Sequence, residues 1–241
     1  MTINQVITIS FIAFLSGCTL QQGNLKQMYS HAVNDAAVAE SGEISDRLFA
    51  INSENQALRW QDSKVLVVTW KSQCDYKKYI ENETHTSQGE KHMTWVTAAP
   101  QVQAFCQSFV RNNPNGDLNL RLKQYLGLNA DWNYEVFVEL WVDPADMFRP
   151  CIDPEIHDNN CQLHFSECPA PPIKEIADYY AFYKDLYFKS FRYQSRVPWT
   201  GLGYTYDWGN PASPVGASEY ILRSNSAYRI ERVVETADYC R

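Results

Sequence analysis

Residues 147–168 (MFRPCIDPEIHDNNCQLHFSEC) combine cysteines, histidines and carboxylates, the side chains that bind metal ions in proteins. Cys161, His164 and Cys168 have a C-x₂-H-x₃-C spacing that is typical of zinc sites, and Cys151 could supply a fourth ligand. Thiols of exported proteins are usually oxidised, however, and a disulfide would use the same sulfur atoms. We therefore expect no metal in this segment.

The same segment also offers oxygen ligands that could suit calcium. The groups concerned are Asp153, Glu155, His157 and Asp158. The segment lacks the ligand spacing and the central glycine of a calcium-binding loop. The interpretation that we favour is a disulfide-stapled surface loop with solvated carboxylates, one of which pairs with Arg149.

A second candidate site is Pro198–Pro211 (PWTGLGYTYDWGNP), in which glycines allow a tight and irregular backbone. Flat aromatic faces for stacking and a few directional polar groups are what a glycan or peptide site requires. The predicted ligand-binding residues are Trp199, Tyr204, Tyr206, Asp207, Trp208 and Asn210. The alternative is that these aromatic side chains belong to the core.

The sequence offers individual groups that could act in catalysis but no complete catalytic motif. Asp207 and Glu219 could form the carboxylate pair of a glycoside hydrolase if they lay roughly 5–10 Å apart, and His157 or His92 could act as a base. The chain contains no G-x-S-x-G, H-E-x-x-H or phosphate-loop motif. We expect a non-catalytic binding or interaction module. The alternative is a periplasmic hydrolase that acts on an envelope polymer.

The N-terminus predicts export and lipid anchoring. Val6–Leu15 is an apolar run too short to span a bilayer, and residues 1–17 are typical of a signal peptide. Leu15–Cys18 (LSGC) resembles the lipobox of bacterial lipoproteins, in which the cysteine becomes the acylated first residue. Residues 18–42 would then form a tether or helix that attaches the domain to the envelope. Thr19 favours the outer membrane, facing the periplasm.

The cysteine count is consistent with an oxidising compartment. Seven cysteines less the lipidated Cys18 leave an even set of six, which allow 15 connectivities. Spacing alone suggests only the pair Cys151–Cys161. We also expect the penultimate Cys240 to pair with Cys106, which leaves Cys74 for Cys168.

Composition predicts a globular domain that does not bind nucleic acid. The chain of 241 residues is 45% hydrophobic and 14% aromatic, which is enough for a sizeable core. Its net charge of −7 argues against nucleic acid, because phosphate binding depends on excess Lys and Arg. No motif indicates a cofactor. The predicted partners are the membrane, through the lipid, and a glycan, a peptide or an envelope protein.

Hydrophobic periodicity predicts one α+β domain over residues 43–241, with a mainly antiparallel sheet and packed, disulfide-stapled helices. The predicted strands are residues 64–70, 92–97, 134–142, 218–223 and 228–234. Helices are expected at residues 25–37, at 43–51, from Pro100, from Asp117 to Gly127, and at 173–191.

Longer motifs resemble an uncharacterised family of bacterial exported lipoproteins. They are Phe148–Cys151 (FRPC), Asp153–Ile156 (DPEI), Cys161, Pro198–Thr200 (PWT) and Gly203–Pro211 (GYTYDWGNP). The resemblance covers about Leu58 to Cys240 and implies an exported lipoprotein with no known activity. This chain departs from the pattern at Gly201, where the family has Arg, and by the additional Cys74 and Cys168.

Overall fold

A computed structural model of the chain describes residues 13–89, 93–165, 173, 176–193 and 196–241, with only the backbone described for residues 13–21. Within this part of the chain, eight strands form one sheet and every pairing is antiparallel. The strands are β1 Trp60–Gln61, β2 Lys64–Lys71, β3 Thr94–Ala98, β4 Val136–Val142, β5 Met147–Phe148, β6 Tyr204–Tyr206, β7 Val215–Leu222 and β8 Tyr228–Glu235.

The sheet has the order β5-β7-β3-β2-β4-β8, with β1 paired to β2 and β6 paired to β7. The helices are α1 Ala13–Asp35, α2 Gln73–Tyr79, α3 Ala99–Asn112, α4 Leu118–Tyr125, α5 Tyr179–Arg192 and α6 Thr236–Tyr239. Two 3₁₀ turns cover Ser41–Glu43 and Pro144–Asp146. The predicted fold class, α+β with a mainly antiparallel sheet, is confirmed.

Both faces of the central strands are buried, which explains why β2 and β4 consist of nearly continuous apolar residues. Because side chains alternate along a strand, Val65 and Val67 face one core and Leu66 and Val68 face the other. The second core packs against α3 and α4. It contains Leu66, Val68, Trp70, Val102, Cys106, Leu122, Phe137 and Trp141.

Side-chain caps and a proline mark the starts of three helices. Asp117 accepts a hydrogen bond from the Leu120 amide at the start of α4, and Asp178 accepts one from Ala181 at the start of α5. A proline occupies the first turn of α3, where its missing N–H would have had no helical partner. The predicted starts at Pro100 and Asp117 therefore lie within one residue of the observed helices.

Two disulfides staple the domain, as predicted from the sequence. Cys106 in α3 bonds to Cys240 at the end of α6, across 134 residues, and Cys151 bonds to Cys161 across 10 residues. A bond that closes so long a loop removes much of the entropy of the unfolded chain, typically about 2–5 kcal/mol. Cys74 is exposed and bonds to none of the described cysteines. Cys168 lies outside the described residues.

One predicted helix, residues 43–51, is wrong. Apart from the turn that ends at Glu43, the segment is non-helical and lies along the cysteine-containing loop. The amide of Leu48 donates to the Asn159 carbonyl and that of Ile51 donates to the Ile156 carbonyl. The backbone groups that a helix would pair internally are thus satisfied by another segment.

The C-terminal half of α1 packs against the domain. Tyr29, Ala32, Val33 and Ala36 are buried with Phe191, Trp199 and Trp208. Cys18 lies in the part of α1 whose side chains are not described. Of the helices in the described residues, none combines the length and the apolar character that crossing a bilayer requires.

Candidate ligand-binding cavity

A cavity of about 400 Å³ lies between the sheet and the segments that cover its second core. The floor comes from β2, β3, β4 and β7, and the walls come from α5 and from the loops around residues 126–134 and 197–206. Its principal lining side chains are Val68, Trp70, Trp95, Thr97, Leu126, Leu128, Tyr134, Phe137, Leu186, Lys189, Ser190, Val197, Trp199, Thr205, Tyr206 and Glu219. The lining is thus mainly apolar and aromatic, with few ionisable groups.

Among the described residues that line the cavity, Glu219 is the one that bears a carboxyl group. In β7, the alternation of side chains buries Tyr220 and Leu222 in the first core, so Glu219 faces the opposite side, toward the cavity. Its register partner in β3 is Thr97. Its amide donates to the carbonyl of Gly203, which holds the segment before β6 against β7.

The electrostatic situation of Glu219 is unusual for a carboxyl group. The residue is 7% exposed, and its Oε1 atom is buried without a hydrogen-bond partner among the residues that the structure describes. No ion pair joins it to another described residue, including Lys71 and Lys189 of the lining. Burial raises its pKa from the ordinary 4.5 to about 8. Glu219 is therefore mostly protonated at neutral pH and has an unused hydrogen-bonding group beside the cavity.

Three aromatic side chains of the cavity have their polar groups satisfied elsewhere. Trp70 stacks on Tyr134 with ring centroids 5.0 Å apart, and its Nε1 donates to Thr236. Trp199 donates to the carbonyl of Pro150, and Tyr206 donates its hydroxyl proton to Asp35. The N–H groups of Trp70 and Trp199 and the hydroxyl group of Tyr206 are thus occupied, so these three side chains contribute their rings to the lining.

Asp207, the other predicted acid, is held in an ion pair. Arg121 of α4 donates to both of its carboxylate oxygens, at 2.7 Å and 2.6 Å, and the Gly209 amide donates to one of them. Asp207 is buried, and Arg121 is largely covered. Such a bidentate contact is geometrically specific, and it fixes the loop after β6 to α4.

Asp207 and Glu219 do not converge. The Asp207 amide bonds to Pro214, next to the start of β7 at Val215, and Glu219 lies four residues farther along that strand. At ~3.3 Å per residue, the two backbones are separated by roughly 13 Å. Asp207 is also absent from the residues that line the cavity.

The remaining residues of the aromatic loop have structural contacts. Tyr204 and Trp208 are buried and donate to the carbonyls of Glu43 and Leu128, respectively. The Asn210 side chain accepts from the Ala212 amide in a local turn. Of the predicted ligand-binding residues, Trp199 and Tyr206 line the cavity. Glu219, which the sequence suggests only as a catalytic candidate, lines it as well.

Gly203 shows why this loop needs glycine. Its φ of +78° lies in the left-handed region, and a Cβ there would come within 2.5 Å of Cδ of Arg149. The loop can therefore pass close to the guanidinium-bearing side chain of Arg149 and still bond to β7.

The cysteine-containing loop is folded around Arg149. This side chain is fully buried and donates to Oδ1 of Asp158 at 2.8 Å and to the carbonyls of Asp158 and Asn160. Because Cys151 and Cys161 are joined in a disulfide, neither provides a thiolate for zinc. The expectation that Arg149 pairs with a carboxylate of this loop is confirmed.

Asp153, Glu155 and Asp158 bring carboxylate oxygens within 4.8 Å of one another. Burial raises the pKa of Asp153 and of Glu155. Burial acts in the same direction on Asp158, but hydrogen bonds from Glu155 and Arg149 outweigh it and lower that pKa. His157 is exposed at the edge of this group, with Nδ1 at 3.0 Å from the Ile51 carbonyl oxygen. His164 is also exposed, and His92 lies outside the described residues.

Sequence reasoning missed most of the cavity. Trp70, Trp95, Tyr134 and Leu186 line it, but the sequence predicts them only as members of strands or of a helix. One signal is available for Trp70, because it is the single aromatic residue in a strand rich in valine. The other residues come from distant segments, and no local pattern connects them.

Comparisons with protein-family models, with curated proteins and with solved structures find no match for this chain. The fold and the site together define an α+β protein with a half-open, mainly apolar cavity, in which the carboxyl group of Glu219 has an oxygen without a partner among the described residues.

Proposed function

We propose that this protein binds a small, largely apolar molecule in the cavity and that protonated Glu219 donates a hydrogen bond to an acceptor atom of that molecule. The protein would thus act as a non-catalytic binding module, and the inner side of the aromatic loop, through Trp199 and Tyr206, would contact the ligand. A volume of about 400 Å³ is at the lower end of the range for small-molecule sites. It suits a compact ligand, or one side group of a peptide or glycan.

The observation that carries this proposal is the buried, unpartnered Oε1 atom of Glu219. Buried polar atoms in proteins nearly always have a partner, and each one left without a partner costs roughly 1–3 kcal/mol. A ligand acceptor at this position would remove that cost. A cavity that is lined by aromatic rings and has one such polar group resembles a ligand site in composition. In ligand sites, a few polar groups orient a largely apolar molecule.

The hydrolase alternative is not supported by a comparable observation. Glycoside hydrolysis requires two carboxyl groups at the scissile bond, and Glu219 is the one carboxyl group among the described lining residues. Asp207 is paired with Arg121 instead.

We also propose that the protein is a lipid-anchored component of a bacterial cell envelope, acylated at Cys18 and facing the periplasm. The LSGC motif supports this, and so do the two disulfides, because such bonds persist in oxidising compartments. Acyl chains on Cys18 would hold the domain at a membrane without a spanning helix.

The cavity proposal can be tested with prodan, a neutral, apolar naphthalene ketone whose fluorescence reports the polarity around its carbonyl. We expect prodan to bind at about pH 6 and to bind about tenfold more weakly at about pH 9.5, where Glu219 has lost its proton. Glu219→Leu should abolish this pH dependence. Glu83→Gln, which changes an exposed carboxyl group, should retain it.

Filling the cavity provides an independent test. Leu186→Trp enlarges a lining side chain of α5 and should prevent prodan binding. Phe188→Trp, on the exposed side of the same helix, should leave binding unchanged. Equal binding of prodan by the wild type and the folded Leu186→Trp variant would contradict the proposal.

A further inference from the structure

The exposed side of α5 has an unusual composition. Tyr180, Lys184, Phe188 and Arg192 follow one another at intervals of four residues, so they lie along one face of the helix. Tyr180 and Phe188 are each 54% exposed, and both basic side chains are also exposed. We call these four residues the outer face of α5. Exposed apolar side chains that adjoin one another can mark an interaction site, whereas singly scattered ones are common on any protein.

The charges on this face differ from those of the whole chain. The protein has a net charge of −7, whereas Lys184 and Arg192 make the outer face positive. The single acidic residue of the helix, Asp185, forms an ion pair with Lys189. The ammonium group of Lys184 lies over the ring of Tyr180, 5.0 Å from its centroid, so the aromatic and basic groups form one continuous surface.

We propose that the outer face of α5 docks onto the surface of an anionic phospholipid bilayer. Tyrosine and phenylalanine rings suit the boundary between headgroups and acyl chains, and lysine and arginine extend their charges toward phosphate groups. This distribution matches an interfacial helix. A second copy of the chain would be a poorer partner, because a symmetric contact would place Lys184 and Arg192 opposite groups of the same charge.

Docking of the outer face would place the cavity close to the membrane, because the opposite side of α5 lines the cavity. Leu186 and Ser190 line the cavity from that side. Because an α-helix with its side chains is about 10–12 Å thick, docking would bring the cavity within one helix diameter of the lipid headgroups. The outer face of α5 lies outside the cavity, and its docking does not depend on the proposed ligand.

The test is a vesicle-flotation assay of the full chain that carries Cys18→Ser, so that no acyl group can be attached. Vesicles of phosphatidylcholine alone are compared with vesicles that also contain the anionic lipid phosphatidylglycerol. The double variant Lys184→Glu/Arg192→Glu should lose ~10-fold or more of its partitioning into anionic vesicles. Lys77→Glu/Arg111→Glu makes the same change in net charge at exposed positions elsewhere and should retain most of it.

A second pair of variants tests the aromatic contribution. Tyr180→Ser/Phe188→Ser should weaken binding to both kinds of vesicle, whereas Trp60→Ser/Tyr79→Ser, at other exposed aromatic side chains, should not. Equal partitioning of the α5 variants and their controls would overturn the proposal. So would a concentration-dependent dimer, seen by analytical ultracentrifugation and lost in the α5 variants, because it would assign this face to a second copy of the chain.

Discussion

Asp207 and Glu219 are two buried carboxyl groups from neighbouring segments, and their surroundings give them opposite roles. Asp207 has a bidentate arginine partner and an amide donor. Glu219 has an Oε1 atom with no partner and a pKa raised by burial to about 8. The ion pair of Asp207 joins the aromatic loop to α4. Glu219 instead has an unused hydrogen-bonding group beside the cavity. Burial of a carboxyl group therefore does not by itself indicate function, and the unpartnered atom of Glu219 is informative because it lies beside a cavity.

The largest expected effect is the loss of the Asp207–Arg121 pair. Asp207→Ala should lower the free energy of unfolding by ~3–5 kcal/mol, because it leaves a largely buried guanidinium without its counter-charge. Urea denaturation measures this change. Asp131→Ala, which removes an exposed partner of Lys26, is the matched control and should cost no more than about 1 kcal/mol. Similar small losses in both variants would show that Asp207 is not a structural anchor.

Replacing Glu219 with a side chain that cannot ionise should have a smaller effect of opposite sign. The folded pKa of about 8 exceeds the ordinary 4.5, so the folded state retains a proton that the unfolded chain releases. The wild type should therefore lose stability between about pH 4.5 and pH 8, by at most about 1.4 kcal/mol per pH unit. Glu219→Gln should abolish this slope and stabilise the protein by about 2–3 kcal/mol near neutral pH.

Glu139 provides the matched control for that variant. It is also a buried glutamate, but Arg232 donates to both of its oxygens, at 2.6 Å and 2.9 Å. Glu139→Gln should therefore destabilise the fold at neutral pH, whereas Glu219→Gln stabilises it. Chemical denaturation of both variants across the pH range compares them directly, and destabilisation by both would mean that Glu219 also has a stabilising partner.

The smallest expected effect is at Tyr206, which precedes Asp207 in the chain and lines the cavity together with Glu219. Tyr206→Phe removes the hydroxyl group that donates to Asp35 but keeps the ring that lines the cavity. We expect a loss of about 0.5–1.5 kcal/mol in the free energy of unfolding, with unchanged binding of prodan. A large decrease in prodan affinity would assign the hydroxyl group, rather than the ring, to the ligand.

The fold could be predicted where local patterns determine it. The apolar runs of β2 and β4 predicted buried strands, and the cap at Asp117 predicted a helix start. The segment 44–51 could not be predicted, since its amides pair with carbonyls about 100 residues away. The site was predicted only in part for the same reason. No residue near Asp207 or Glu219 in the sequence indicates that Arg121 pairs with Asp207 and not with Glu219.

The most direct test is a pH titration of the Glu219 carboxyl carbon by ¹³C NMR, in the free protein and with prodan bound. The Glu219→Gln variant assigns the signal. We predict a midpoint of about 8 in the free protein and a higher midpoint with prodan bound, because the bound state needs the proton. A midpoint near the ordinary 4.5, or one that saturating prodan does not change, would contradict the proposal that Glu219 is a protonated donor for a ligand in the cavity.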